Sequence, residues 1–349
     1  MQFCYDQILK DLMTPKVIAA LGSVREHRGK QQVFQQLQPQ ELNRLCEVAK
    51  IQSIGASNRI ENICTTTGRL QEIAQEKTEP RNRDEREIAG YRHVLNTIHE
   101  SHDDIPVTPG VILQLHRDLY RYEDAAFAGH FKDSDNVIAE RNEAGDLQVR
   151  FKPTSAAATP AAMQRICQEY RDQISEGTYD PLLVSLVFAF DFVSIHPFND
   201  GNGRMSRLIT LLLMYRAGYT VGKYISVEAE IETSKDAYYE ALAASSAGWE
   251  TGTNTYEPFV LYMLGVILAC YRKLTERMQL TAAPLSHEDQ IRRYFDTLLG
   301  AASKARILQD NPNMSMTTLN RILQKLQAEG FIQKVGAARA TQYKRARDL

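Results

Sequence analysis

The chain has 349 residues, of which 43% are hydrophobic and 24% are charged, and its formal net charge at pH 7 is −2. This length and ordinary globular composition predict two or three domains with substantial cores. The near-neutral charge excludes a protein that coats nucleic acid or an anionic membrane with its whole surface, so any basic partner surface has to be local. The five cysteines have no CxxC spacing, which favours small core residues over a disulfide framework or a zinc site.

Neither a membrane span nor a secretory signal is expected. No apolar run approaches the roughly 20 residues that cross a bilayer. The first residues, MQFCYDQILKDLM, lack the basic-then-apolar pattern of a signal peptide. We therefore expect a cytoplasmic protein with no membrane partner.

Most segments longer than ten residues carry apolar side chains at helical spacing, which predicts a mainly α-helical protein. Residues 1–100 are expected to form a helical N-terminal region. Residues 129–153 depart from the helical pattern, because apolar residues near both ends flank a Glu-Ala-Gly turn. They predict a short β-hairpin, which we interpret as a flap.

Two strongly apolar helices are predicted in the middle of the chain. PLLVSLVFAFDFVSI, residues 181–195, is apolar on nearly every side and should be a central helix that is buried all round. RLITLLLMYRAGY, residues 207–219, should be a second helix of this kind. Between them, one proline and two glycines predict a tight loop at residues 196–203, with the next helix beginning near Arg204.

The character of the sequence changes after Pro284. An amphipathic helix around residues 319–326 stops at Gly330, and two short strands, FIQKV and TQYKR, follow around a Gly-Ala-Ala-Arg turn. A helix followed by a two-stranded wing is the outline of a winged helix-turn-helix, which we assign to residues 284–349. In this region eleven Lys and Arg residues stand against six Asp and Glu residues, a local excess of five positive charges.

HPFNDGNGRMSR, residues 196–207, combines the parts of a polyphosphate site. A Gly-Asn-Gly turn before a helix supplies backbone N–H groups and the positive end of a helix dipole, which bind anions. Arg204 and Arg207 add charge-assisted hydrogen bonds to phosphate oxygens. Asp200 offers a hard ligand for Mg²⁺, and His196 can take a proton near neutral pH. Each part alone is common in structural turns, but the combination indicates transfer of a phosphate-containing group to a hydroxyl.

This segment resembles the Fic family signature, H-x-F-x-[D/E]-G-N-G-R-x-x-R, and the resemblance covers about residues 100–275. The matching positions are His196, Phe198, Asp200, Gly201, Asn202, Gly203, Arg204 and Arg207. The resemblance implies a Fic-type helical core with a small β-hairpin flap, and we place the catalytic domain at residues 101–280. It also implies transfer of AMP from ATP to a Ser, Thr or Tyr hydroxyl of a target protein.

The resemblance further implies a role for each part of the loop. His196 would be the general base that deprotonates the target hydroxyl. Asp200 would hold Mg²⁺, the implied cofactor, between the α- and β-phosphates of ATP. The positions that would bind the triphosphate are Gly201, Asn202, Gly203, Arg204 and Arg207. The first of the two arginines would lie on the α- and β-phosphates and the second on the γ-phosphate.

Two further segments are similar to parts of Fic domains. The hairpin at 129–153 resembles the flap on which a target protein docks by strand addition. DAYYEALAAS, residues 236–245, resembles the segment whose tyrosines flank the adenine, which makes Tyr238 and Tyr239 candidates for ATP binding, with a core role as the alternative. Family members often have an asparagine near the position of Ser246, which leaves the selectivity for adenine open.

SNRIEN resembles the Fic inhibitory motif, [S/T]-x-x-x-E-[G/N], at Ser57, Glu61 and Asn62. We expect these residues, 57–62, on a helix that runs toward Ile73, with the serine and the glutamate on one face because they are four apart. A capping box is not satisfied, because the third residue after the serine is an isoleucine. The resemblance implies that the glutamate pairs with the second arginine of the signature and inhibits transfer within one chain.

Three functions remain open from the sequence. The first is an autoinhibited AMP-transferase, in which the same glutamate can also assist removal of AMP. The second is a regulator whose winged helix binds DNA while the Fic domain senses a nucleotide, with docking of a protein by the winged helix as the alternative. The third is another transfer, such as phosphorylation or UMP transfer, although the intact signature favours ATP and AMP. A homodimer is also open.

Overall fold

The computed structural model describes residues 3–37, 39–141, 147–281, 286–298, 301–336 and 341–346. Most of these residues are helical, and the described strands form two separate antiparallel pairs. The prediction of a mainly α-helical protein with a small hairpin is therefore confirmed. The chain divides into two compact units, Met1–Met278 and Gln279–Leu349.

The first unit begins with a series of helices that the sequence assigned to an N-terminal region. They are α1 (Tyr5–Asp11), α2 (Pro15–Leu37), α3 (Pro39–Ile60), α4 (Thr67–Ala74) and α5 (Arg83–Ser101). Their apolar side chains share one continuous core with the central helices of the same unit. The N-terminal region is therefore packed into the body that carries the signature.

The rest of the first unit contains seven further helices and one hairpin. They are α6 (Pro109–Leu119), β1 (Ile138–Arg141), β2 (Leu147–Phe151), α7 (Thr159–Glu176), α8 (Pro181–Ile195), α9 (Asn202–Arg216), α10 (Val227–Thr233), α11 (Lys235–Ser246) and α12 (Glu257–Thr281). Three single-turn 3₁₀ helices occur at His102–Asp104, Val221–Lys223 and Trp249–Thr251.

Helix α8 confirms the prediction of a central buried helix. Every residue of it except Pro181 and Val193 is buried. Helix α9 begins at Asn202, slightly before the expected start near Arg204, because Gly201 takes a left-handed conformation (φ 78°) as its N-cap. The two helices pack against each other and hold the signature loop between them.

The hairpin is shorter than the predicted 129–153. Strands β1 and β2 pair antiparallel, with Ala139 opposite Val149 and an irregularity after Ile138. The predicted Glu-Ala-Gly turn lies outside the described residues. Phe151 anchors β2 to the core through an edge contact with Trp249, with ring centroids 6.4 Å apart.

Helix α12 overturns the expectation that no segment is long and apolar enough to span a membrane. Its segment Glu257–Gln279 is long and apolar enough to cross a membrane, and half of its apolar stretch is buried inside the protein. By length and composition alone a core helix passes the same test. Val260, Leu264 and Ile267 are fully buried in the core of the first unit, which accounts for the high hydropathy.

The second unit has a core of its own, built around residues such as Ile291, Leu319 and Ile332. Its elements are α13 (His287–Thr297), α14 (Lys304–Asp310), α15 (Met316–Ala328), β3 (Ile332–Val335) and β4 (Gln342–Arg345). The predicted amphipathic helix is confirmed as α15, and Gly330 ends it with a left-handed turn (φ 73°). Pro284 and residues 337–339 of the predicted turn lie outside the described residues.

The cysteines only partly follow the expectation of small core residues. Cys167 and Cys270 are buried, whereas Cys4 and Cys46 are partly exposed and Cys64 is exposed. Cys64 lies in the connection between α3 and α4, where the chain is at the surface. The prediction is therefore wrong for Cys64.

Candidate active site

The segment SNRIEN does not continue into a long helix, so the prediction of one helix toward Ile73 is wrong. Helix α3 ends at Ile60, and Asn62 adopts a left-handed conformation with φ 61°. The N–H of Ile63 donates to the carbonyl of Asn58 at 3.0 Å, which closes the helix end as a Schellman-type cap. Left-handed backbone favours glycine or asparagine, so the last residue of the segment determines where the helix stops.

Glu61, just beyond the end of α3, contacts Arg207 on α9. Nη2 of Arg207 donates to Oε1 of Glu61 at 2.8 Å. Nε and Nη2 of the same guanidinium donate to Oγ and to the carbonyl of Ser57, each at 2.8 Å. Burial opposes the charge of Arg207, but the Glu61 carboxylate raises its pKa above the ordinary value, so the guanidinium remains charged. The predicted contact of Glu61 with Arg207 is thus present, and Ser57 of the same motif contacts Arg207 as well.

Glu61 also covers the first turn of α9. A Cβ atom added to Gly203 would lie only 2.1 Å from Oε1 of Glu61, so the carboxylate rests directly on this glycine. The N-terminus of a helix attracts anions through its unpaired N–H groups and its dipole. The glutamate therefore lies where the sequence predicts a phosphate group.

His196 ends α8 in a left-handed conformation, with φ 53° and ψ 63°. Its ring Nδ1 lies 3.3 Å from the carbonyl oxygen of Val193. Because a carbonyl only accepts hydrogen bonds, this contact assigns the ring proton to Nδ1 and leaves the lone pair on Nε2. Burial lowers the pKa of His196 to about 4, so the ring is neutral at pH 7.

The side chains of Phe198 and Asn202 hold the loop closed. Phe198 is fully buried, and its ring stacks on His116 with centroids 3.7 Å apart. The Asn202 amide accepts from the N–H of Phe198 at 2.9 Å and donates to its carbonyl at 2.7 Å. Both polar atoms of the amide bond to the backbone of Phe198, so the side chain of Asn202 fixes the shape of the loop that would bind phosphate.

Sequence reasoning missed His116 on α6, which supports the same loop. Its Nε2 donates to the carbonyl of Asp200 at 3.1 Å, and its Nδ1 accepts from the N–H of Gly129 at 3.0 Å. Burial lowers the pKa of His116 to about 4, so the ring is neutral. No local pattern around His116 indicates this contact, because its partner is 84 residues away in the chain.

Arg204 lies in the first turn of α9 with only 2% of its side chain exposed. Its Nη2 donates to Oε2 of Glu87 at 2.7 Å and to the hydroxyl of Tyr120 at 2.8 Å. Its Nε and Nη1 are buried and have no partner among the described residues. Buried donors without partners are costly, and a bound anion would satisfy them, so a phosphate group fits here.

Asp200 lies at the tip of the loop with its carboxylate 48% exposed. Its Oδ1 accepts from the N–H of Gly201 at 2.7 Å, and Nη2 of Arg83 lies 3.8 Å from its Oδ2. The described part of the chain contains no cluster of three or more His, Cys, Asp or Glu side chains that would bind a metal by itself. Mg²⁺ is usually held by one or two carboxylates together with substrate phosphates, so Asp200 fits an ion that binds with a nucleotide.

Glu61, His196, Asp200 and the first turn of α9, including Arg204 and Arg207, line a cavity of about 600 Å³, a size typical of small-molecule sites. Helix α11 contributes Tyr238, Tyr239 and Ser246 to its wall, and Arg150 comes from strand β2. Nη2 of Arg150 donates to the carbonyl of Tyr239 at 2.7 Å, which connects the hairpin to α11. Tyr238 is 5% exposed, so it belongs to the core and to the cavity wall at once.

The model of the Fic/DOC family matches residues 106–214. A stretch of 164 residues, 47% of this chain, is 28% identical to Protein adenylyltransferase fic-1 of Caenorhabditis elegans. A stretch of 115 residues, 33% of this chain, is 30% identical to Protein adenylyltransferase Fic of Drosophila melanogaster. The matched stretches span only 27% and 21% of these two relatives. A Fido domain-containing protein of Dictyostelium discoideum is 26% identical over 147 residues, which are 42% of this chain and 96% of that protein.

The fold is also similar to solved structures. A Fic family protein from Desulfovibrio desulfuricans superposes with a TM-score of 0.62 at 22% identity, and the superposition covers 95% of this chain and 96% of that protein's chain. Fic-1 of C. elegans has a TM-score of 0.61 at 21% identity and covers 76% of this chain and 74% of its own. At these identities the structures establish the fold alone. Together with the family model, which matches residues 106–214, and the related sequences, they support a Fic domain within this chain.

Proposed function

We propose that this protein is an autoinhibited transferase that moves AMP from ATP to Ser, Thr or Tyr hydroxyls of target proteins. One observation carries the proposal: the guanidinium of Arg207, in the same cavity as His196, is held by Glu61. The adenylyltransferases among the relatives support the choice of AMP as the transferred group.

His196 is suited to the role of general base because its Nδ1–H is used by the Val193 carbonyl, which leaves the lone pair on Nε2 in a residue that lines the cavity. A target hydroxyl gives its proton to Nε2 while its oxygen bonds to the α-phosphorus, and the bond from that phosphorus to the oxygen of the leaving pyrophosphate breaks. The Nδ1–H bond to Val193 then stabilises the charged ring. The negative charge of a bound triphosphate raises the pKa of His196 from about 4 toward neutrality, which strengthens the base.

The phosphates would be bound by donors that the fold already orients. The buried Nε and Nη1 of Arg204 are available to them, and the first turn of α9 supplies backbone N–H groups. Mg²⁺, held by Asp200 together with the phosphates, would neutralise part of their charge. Glu87 and Tyr120 hold Arg204 on one side, so its guanidinium is already oriented before a nucleotide binds.

Inhibition follows from competition for Arg207. The Glu61 carboxylate binds this guanidinium and lies against Gly203. A γ-phosphate would therefore find Arg207 already paired and would be repelled by the negative charge of Glu61. ATP is then excluded or held with its phosphates displaced. We therefore expect the isolated protein to be nearly inactive as a transferase.

The proposal is tested by mass spectrometry of the Glu61→Gly protein after incubation with ATP, Mg²⁺ and cell lysate. Peptides with an added AMP are expected, and they should be absent from the Glu61→Gly, His196→Ala double variant. The same incubation with UTP distinguishes UMP transfer, and a phosphate adduct would identify phosphorylation. If no protein in the lysate, the enzyme included, gains a nucleotide, the nucleotide-sensor function is favoured instead.

A second proposal concerns the second unit. Its three helices followed by an antiparallel pair of strands support a winged helix, with α15 as the candidate recognition helix. Nζ of Lys325 donates to Glu288 at 2.8 Å, and Arg292 pairs with the same carboxylate at 2.9 Å. The Lys325 ion pair reduces the basic charge that α15 offers to DNA, so we propose a protein partner for this unit. A salt-dependent mobility shift of generic duplex DNA by the full chain would contradict this and favour DNA binding.

Other expectations remain proposals. A target protein would dock on the flap. Removal of AMP by the same site can be tested by incubating the protein with an AMP-modified target. A homodimer would be detected by sedimentation. A cytoplasmic location and the absence of a membrane partner also remain predictions.

A further inference from the structure

Lys132 is a buried lysine at the base of the flap that sequence reasoning did not single out. Only 3% of the residue is exposed. Its Nζ donates to the carbonyl of Ile195 at 3.1 Å and to Oδ1 of Asn136 at 2.9 Å, and both acceptors are neutral. Burial lowers the pKa of Lys132 to about 8, while the charge of Asp135 raises it. Burying an ammonium group is costly when its hydrogen-bond acceptors are neutral, so the presence of a lysine here calls for an explanation.

Lys132 connects the flap to the residues on both sides of His196. Its side chain contacts the residue before His196, and its backbone N–H donates to the carbonyl of Pro197, the residue after it, at 2.9 Å. Asn136 extends the connection, because its Nδ2 donates to the carbonyl of Phe198 at 3.3 Å. The start of the flap is therefore fastened along the first half of the signature loop.

The bond to Ile195 lies at the C-terminal end of α8. Carbonyl groups in the last turn of a helix lack helical partners and carry the negative end of the dipole, so a cation is favoured there. His196 turns the chain away in a left-handed conformation, which leaves the Ile195 carbonyl to be satisfied from outside the helix. The ammonium group of Lys132 does this from the flap side.

The charge of Lys132 acts on the His196 ring as well. Burial is the main reason for the low pKa of His196, and the positive charge of Lys132 lowers it further. The other charged groups that act on the ring are Glu61 from the end of α3 and Asp200 from the loop, and both raise its pKa. Arg207 on α9 is paired with Glu61.

We propose that Lys132 is a positioning residue for the transfer reaction, which caps α8 with its ammonium group and so holds His196 in its left-handed turn with Nε2 available as the base. This inference rests on the proposed role of His196, but its test does not require transfer to occur.

The test is an NMR titration of His196 in full-length protein labelled with ¹⁵N-histidine. All variants carry Glu61→Gly, and the His196→Ala variant assigns the signal. Lys132→Gln keeps a donor without the charge, Lys132→Met removes both, and Lys132→Arg keeps the charge. We expect the first two to raise the pKa of His196 by roughly 0.5 to 1 unit, and the arginine variant to leave it unchanged.

Lys223 provides a matched control. It is a half-buried lysine whose pKa, like that of Lys132, is lowered by burial, and its Nζ donates to a backbone carbonyl, that of His99, at 2.8 Å. Lys223→Gln should leave the His196 titration unchanged. In transfer assays at pH 7, Lys132→Met is expected to lower kcat by about tenfold with little change in KM for ATP, because the donor that caps α8 and orients the base is lost.

An unchanged His196 pKa in both Lys132→Gln and Lys132→Met proteins that remain folded would overturn the proposal. A shift of equal size in Lys223→Gln would do the same. If Lys132→Met does not fold, the glutamine and arginine variants still decide. If the Glu61→Gly protein transfers no AMP, the proposed function fails while the titration still tests Lys132.

Discussion

Replacing Glu61 by glycine tests the inhibitory contact directly. The change removes a carboxylate oxygen 2.8 Å from Nη2 of Arg207 and leaves that guanidinium with two bonds to Ser57. Arg207 is buried, but the Glu61 side chain is 35% exposed, so water screens part of the attraction. Two unit charges 4 Å apart attract by about 4 kcal/mol near a protein surface, and screening reduces this to about 2 to 3 kcal/mol.

A γ-phosphate that takes Arg207 from Glu61 has to overcome this attraction. Since each 1.36 kcal/mol changes a rate or a binding constant tenfold, kcat/KM for ATP should rise by roughly 30- to 150-fold in the Glu61→Gly protein. Glu61→Gln, which removes the charge and keeps an amide, should give a smaller rise. The effect should appear as tighter ATP binding in calorimetry and as faster label incorporation from α-labelled ATP.

Glu47 on α3, the helix that ends just before Glu61, provides a control, because it is exposed and pairs with Lys50 at 3.8 Å. Glu47→Gln should leave transfer and ATP binding unchanged. The reasoning is refuted if a folded Glu61→Gly protein binds ATP and incorporates label no better than wild type. An equal rise in Glu47→Gln would show that the effect comes from loosening of α3.

Three further changes have definite expected outcomes. Ser57→Ala removes the acceptor for Nε of Arg207 and should relieve inhibition by a few-fold, less than Glu61→Gly, in the same labelling assay. Asn62→Val places a β-branched residue at φ 61° and should raise basal transfer and lower the melting temperature, whereas Asn62→Gly should remain inhibited. Burial raises the pKa of Asp191 to about 8, so the folded protein keeps a proton that the unfolded chain loses above its ordinary pKa near 4. In urea unfolding, the free energy of unfolding of the wild-type protein minus that of Asp191→Asn should therefore fall between pH 5 and 7.5. If this difference does not change with pH, Asp191 is ionised in the folded protein.

The parts of the fold that the sequence predicts are those with a local signal. The apolar run of α8, the proline and glycines of the loop and the amphipathic α15 are each readable within a dozen residues. The end of α3 was missed because its left-handed residue is Asn62, and no glycine or proline marks the stop. The hydropathy of α12 was underestimated because charged residues at its ends flank a long buried face.

The site residues divide in the same way. The signature is contiguous, so its members could be named from the sequence. Glu87, His116 and Lys132 were not named, because each meets the loop or α9 through contacts between residues far apart in the chain. The contact of Glu61 with Arg207, 146 residues apart, was reached only through resemblance to a known motif.

The double hydrogen bond of the Asn202 amide to Phe198 has a kinetic consequence. Under the proposed function, the Asn202 bonds already hold the loop in shape, so release of inhibition would need movement of the Glu61 carboxylate and no reordering of this loop. Rotations of partly exposed side chains take picoseconds to nanoseconds, whereas loop rearrangements take far longer. Under the proposed function, the protein can therefore remain folded and inactive, and a partner that moves the Glu61 side chain would activate it on the timescale of a side-chain rotation.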